Sequence, residues 1–85
     1  MIEHSVVSTG CTVGKGAEVI DSVIMPDVVI ENGVSIRNAI IAEGCVIRAG
    51  AKIGGDVENG ERRISVIGKE KEITEGAVIE PGAII

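Results

Sequence analysis

Residues 7–57 are one 17-residue unit written three times, and no other feature limits the fold as strongly. The copies are VSTGCTVGKGAEVIDSV (7–23), IMPDVVIENGVSIRNAI (24–40) and IAEGCVIRAGAKIGGDV (41–57). Aligned, they put Val7, Ile24 and Ile41 in one slot, Val13, Ile30 and Ile47 in a second, and Val19, Ile36 and Ile53 in a third. The steps between slots are six, six and five residues, after which the pattern closes. Aliphatics recurring about every six residues over such a unit predict a parallel β-helix: each copy is one triangular coil, and coils stack about 4.8 Å apart.

A second set of positions supports the register. Alternate residues of a strand share a face, so the residue two before each aliphatic points inward as well. These are Cys11, Val28 and Cys45, then Ala17, Val34 and Ala51, then Ser5, Ser22 and Ala39, all compact enough for a narrow prism. Gly16, Gly33 and Gly50 share one corner, where a positive φ is open to glycine. Gly10, Asp27 and Gly44 share another, and His4, Asp21 and Asn38 a third. Helices with scattered glycines could not produce these coincidences. The absence of Phe, Tyr and Trp agrees with an interior about one aliphatic side chain wide.

Ile2 falls on the ladder, so the stack is running from the start of the chain. The rhythm breaks after Ile53, and residues 54–66 (GGDVENGERRISV) read as an excursion loop, with Ile64 to Ile67 a strand at its base. Isoleucines then return at 67, 73, 79 and 85. ITEGAVIEPGAII (73–85) overlays IAEGCVIRAGAKI (41–53), which places Gly76 over Gly44 and Gly82 over Gly50. Neither end offers a polar cap of the kind solenoids need. The expectation is one β-helix domain over 1–85 that is a piece of a larger protein or part of an oligomer.

Several function classes fall away. A net charge of −5, with eight basic residues dispersed, argues against nucleic acid. No apolar run is long enough for a membrane span, and MIEHS is no signal peptide. Cys11 and Cys45 lie two coils apart, roughly 9–10 Å, too far for a disulfide. Two buried free thiols suit a reducing cytoplasm, which is the expected location. His4 stands alone, so neither a zinc site of three histidines nor a catalytic base is assembled around it. VGKG (13–16) resembles a phosphate loop only through Gly16, a corner glycine. Glu31 and Glu43 fall on corners without a shared pocket.

The outward faces carry what functional signal there is. Val6, Val23 and Ile40 occupy one outward slot, continued by Val57. The slot of Glu18, Ser35 and Lys52 is polar, and a third side is mixed, with Thr12, Val29, Val46 and Val78. Parallel sheets favour β-branched residues in any case, but an aliphatic column beside a polar one points to a contact surface. Arg62 and Arg63, with Lys69 and Lys71 nearby, are the one local basic group and the candidate anion or effector contact. Their acidic neighbours Glu58, Glu61, Glu70 and Glu72 favour a solvated charged loop instead.

IEHSVV (2–7), VGKGAEVIDSVIMP (13–26), IENGVSIRNAII (30–41) and VIGKEKEI (66–73) closely resemble the carboxy-terminal β-helix of bacterial ADP-glucose pyrophosphorylase, or glucose-1-phosphate adenylyltransferase. The resemblance covers nearly the whole chain. Mannose-1-phosphate guanylyltransferases share the architecture. It implies a left-handed helix that serves as scaffold, oligomerisation and regulatory module, with the enzyme's own catalytic domain and other subunits as partners. In that family ADP-glucose is made from glucose 1-phosphate and ATP with Mg²⁺, feeding glycogen synthesis in bacteria, and phosphorylated metabolites regulate it from between the two domains. The family's glycine-rich nucleotide loop, catalytic Asp and sugar-phosphate Lys belong to an amino-terminal nucleotidyltransferase domain and have no counterpart here. No residue is therefore carried over as catalytic, cofactor-binding or metal-binding. The rival reading is an independent hexapeptide acyltransferase with active sites between subunits.

Overall fold

Two- and three-residue strands separated by tight corners are what a period of six allows: one aliphatic points in, its neighbours point out, and the chain turns. The structure, a computed structural model, describes residues 1–57 and 59–85. Its strands form three parallel sheets wound as a left-handed hexapeptide-repeat β-helix. The first face stacks Ile2–Glu3, Glu18–Ile20, Ser35–Arg37, Lys52–Gly54 and Val78–Ile79. The second stacks Val6–Val7, Val23–Ile24, Ala39–Ile41 and Ser65–Ile67. The third stacks Thr12–Val13, Val29–Ile30, Val46–Ile47 and Glu72–Ile73. Partners through the first three coils are 17 residues apart, as with Val23 and Ile40 or Ile30 and Ile47. Ile2 pairs with Val19, so the first coil begins at once.

The core is a stack of aliphatic layers. Ile24, Ile30, Ile36, Ile41, Ile47, Ile53 and Ile67 are fully buried, together with Val19, Val28, Val34 and Cys45. Burying each side chain contributes about 1.5–3 kcal/mol. Cys11, expected to be buried, is only half-buried because it belongs to the end coil. Both cysteines are free, and each thiol donates to a carbonyl at 3.1 Å, Cys11 to Met25 and Cys45 to Gly68. No helix among the described residues is long and apolar enough to cross a membrane.

The corners show why their residues are what they are. Gly16, Gly33, Gly50 and Gly76 have φ of 69–75° and form one column. His4, Asp21 and Asn38 hold φ of 47–49° at another corner without being glycine. Polar residues of this kind tolerate the left-handed region best after glycine.

Three expectations need correction beyond the third coil. The loop is 55–64, since Gly54 still pairs with Arg37, and Ser65–Ile67 resumes the second face without Ile64. The fourth coil sits one face away from the expected overlay: Ile67 lies over Ile41, Ile73 over Ile47 and Ile79 over Ile53. Glu70 (φ 57°) therefore stands beside Gly44, while Gly76 bonds to Ala49 at the next corner. Val78 likewise joins the column of Lys52, and Glu72 completes that of Thr12, Val29 and Val46. Hexapeptides are nearly equivalent on all three sides, so similarity alone cannot detect a rotation by one side.

Candidate functional site

On the second face every rung carries one inward ladder residue flanked by two outward ones. Val7, Ile24, Ile41 and Ile67 point in. Their predecessors Val6, Val23, Ile40 and Val66 make one outward column, and a bridge from Val66 to Ile84 adds a fifth member. The column is half-buried at its middle and exposed at its ends, 60% at Val6 and 78% at Ile84. Val57 does not belong to it: the chain has left the stack by then, and Val57 lies 44% exposed in the loop. The place expected for it is taken by Val66.

The residues that follow the inward ones, Ser8, Met25, Ala42 and Gly68, form a second outward column. Neither column contains an ionisable side chain. The other faces do. The first carries Glu18, Lys52 and Arg37, and the third carries Glu31, Arg48 and Glu72.

The two arginines among those charges are paired between coils. Arg37 reaches Asp56 at 2.7 Å and Glu18 at 3.7 Å. Arg48 reaches Glu72 at 2.8 Å and Glu31 at 3.1 Å, and Glu31 also accepts from the Ala49 amide at 3.0 Å. Hydrogen bonds to Asp56 and to Glu72, with the charge of those carboxylates, hold both guanidiniums above their ordinary range. Glu31 is thus a tie between coils. Glu43 stands elsewhere, lining a shallow cleft with Met25, Pro26, Ala42 and Lys69.

Arg62 and Arg63 are exposed, and Arg63 lies 3.9 Å from Glu61. Arg63 lines a small cleft with Asp56, Asn59, Glu61 and Pro81, whereas Lys69 lines the separate cleft with Glu43. The described residues therefore do not gather the arginines and Lys69 around one anion position. Glu58, counted among their acidic neighbours, lies outside the described residues.

His4 is 84% exposed at its side chain and 3.6 Å from Asp21. The described residues contain no group of three His, Cys, Asp or Glu side chains able to hold a metal ion. One polar device escaped the sequence reading. Ser22 donates to the Ile20 carbonyl at 2.8 Å and accepts the Ala39 amide at 3.1 Å. Ser5 accepts the Ser22 amide, and Ser65 accepts that of Gly82 while donating to Glu80. Ser5 and Ser22, read as merely small, and Ser65, read as part of the loop, tie neighbouring coils at one corner, while Ala39 holds that position in the third coil without a hydroxyl. The buried side chain of Asn38 at that corner donates to the Gly55 carbonyl at 2.8 Å, where the loop departs.

Residues 1–79 match the family described as GlmU-like, C-terminal hexapeptide. Among curated proteins, the chain is 43% identical over 65 residues to glucose-1-phosphate adenylyltransferase of Hydrogenovibrio crunogenus, covering 76% of this chain and 15% of that protein. It is 32% identical over 83 residues to the enzyme of the same name from Desulfitobacterium hafniense, covering 95% of this chain and 21% of the relative. A third, from Nitrosococcus oceani, is 42% identical over 65 residues, which is 76% of this chain and 15% of that one. The chain spans about a fifth or less of the length of the relatives it matches.

Proposed function

The chain belongs to the GlmU-like, C-terminal hexapeptide family, and from that premise we propose that it is the scaffold, assembly and regulatory domain of a glucose-1-phosphate adenylyltransferase, not its catalyst. In this reading ATP, glucose 1-phosphate and Mg²⁺ are handled by a separate nucleotidyltransferase domain. The observation that carries it is the agreement in name among relatives that match up to 95% of this chain. The residues here support it. The serine hydroxyls are taken up by backbone, Glu31 is tied to Arg48, and His4 stands in solvent.

A β-helix suits a scaffold because each coil is fixed to its neighbours by backbone hydrogen bonds on three sides. Its flat faces then hold attached units at set distances. The uncharged second face is the one offered for contact, through Val6, Val23 and Ile40. The exposed Arg62 and Arg63 are a secondary candidate, for a phosphorylated effector.

Exchanging the matching segment of the Hydrogenovibrio crunogenus enzyme for this chain tests the reading. The chimera should assemble and form ADP-glucose, and this chain alone should form none. ADP-glucose formation by the purified chain alone, abolished by a substitution within it, would overturn the proposal. So would a folded chimera without turnover.

A further inference from the structure

We infer that the Arg62–Arg63 pair is a proteolytic modification site: a protease that selects basic residues cuts the chain there, and the product is a nicked β-helix whose two pieces stay together. This goes beyond the scaffold reading and does not depend on it. Two observations carry it, one on where the chain can be cut and one on what the cut leaves.

A protease draws several residues of its substrate into an extended shape, so the backbone it attacks must first leave its own hydrogen bonds. Of the eight basic residues, all but two are bound into coils. The Lys15 carbonyl accepts from the Gly33 amide, and the Lys15 amide donates to Asn32. Arg37 and Lys52 lie in strands of the first face. The Arg48 amide donates to Ile73, the Lys71 carbonyl accepts from Val46, and Lys69 lies between the bonded amides of Gly68 and Glu70. Arg62 and Arg63 differ. They and Ile64 are exposed, and none of the three shares a backbone hydrogen bond with another described residue. Arg63 keeps 65% of its side chain in solvent, 3.9 Å from Glu61. Either guanidinium suits a protease with a carboxylate in its primary pocket. Hydrolysis adds water across the peptide bond, leaving a carboxylate on the arginine and an ammonium on the residue that follows.

The coils decide what the cut leaves. The piece after the loop meets the piece before it on all three faces: Ser65–Ile67 on Ala39–Ile41, Glu72–Ile73 on Val46–Ile47, and Val78–Ile79 on Lys52–Gly54. Amides of Ala42, Val46, Arg48 and Lys52 donate across that junction to Ile67, Lys71, Ile73 and Ala77. Ser65 and Ile67 are fully buried there, and Arg48 adds its bond to Glu72 at 2.8 Å. Residues 62–64 take part in none of these contacts. Cutting them replaces an effective concentration on the order of 1 mM by the actual one, so the nicked chain is whole at high concentration and separates on dilution. The cut falls on the two arginines offered above for an effector, and it alters that contact without dismantling the prism.

Brief digestion of the full chain with trypsin, followed by intact mass, tests the site. The first cut is expected after Arg62 or Arg63, and a first cut after any other basic residue overturns the inference. Arg62→Gln with Arg63→Gln should slow the first cut about tenfold or more, and an unchanged rate overturns it. Far-ultraviolet circular dichroism checks that the double variant folds. If it does not, a glutamate-specific protease on the wild type takes its place: its first cut is expected in the same loop, and a first cut within a coil overturns the inference. Size exclusion of the nicked chain at about 100 μM should show both pieces in one peak, resolved into two only by urea. Two peaks without urea overturn the inference as well. None of these outcomes bears on the chimera, whose failure would remove the enzyme reading alone.

Discussion

Ile40 and Ile41 are the same residue type, adjacent in one strand and paired to the same neighbouring coils, yet they belong to different parts of the molecule. Ile41 is fully buried between Ile24 and Ile67, and Ile40 sits between Val23 and Val66 on the outside, half-buried. The inner column holds the prism together. The outer one is not needed for that, since Glu18, Ser35 and Lys52 do as well on the neighbouring face. In a solenoid an aliphatic residue at an inward position is therefore explained by folding. One repeated at an outward position asks for a partner.

The comparison breaks most visibly at Ile41→Ala, which should lower stability by about 2–5 kcal/mol in urea denaturation, through lost burial plus a cavity that rigid coils cannot close. The same loss is expected at Ile30, also fully buried. Ser22→Ala removes no volume of note but strands the Ala39 amide in the interior, and should cost about 1–3 kcal/mol. If instead it were neutral, the serine corner would be only a matter of size. Gly33→Ala would bring its Cβ only into ordinary contact with the Gly50 amide nitrogen, at 4.0 Å, but holds it at a φ of 70°. The expected loss is about 1–2 kcal/mol, from backbone strain alone. Ile40→Ala should change stability by under about 1 kcal/mol and Glu18→Ala by under about 0.5. Equal losses at Ile40 and Ile41 would mean that inside and outside have been confused.

The inner ladders and the glycine corner were legible because a step of six survives any reading frame: Val19, Ile36 and Ile53 could be stacked without knowing the hand of the coil. The fourth coil was not, because nothing in residues 55–64 tells how far the chain wanders before Ile67 returns to the stack. Val57 was placed on the outer column because it lies one repeat after Ile40, a rule that holds only while the chain stays wound. The Glu31–Arg48 tie was readable as opposite charges 17 residues apart, whereas Arg48–Glu72 spans the loop and is 24 apart. The serine stitches were hidden by their size, since a small inward residue satisfies the volume rule whether or not its hydroxyl is used.

The loop at the serine corner has a further consequence. The step from Ile36 to Ile41 takes five residues and the step from Ile53 to Ile67 takes fourteen, yet both end in the same ladder, with Ile67 seated over Ile41. The ten residues between Gly54 and Ser65 leave the rungs above and below in register. That corner is a port through which the chain can acquire or shed sequence without renegotiating its core. A foreign peptide grafted there would be displayed at a fixed height on the prism, and lineages of this fold can diverge at such a corner while their coils stay superimposable.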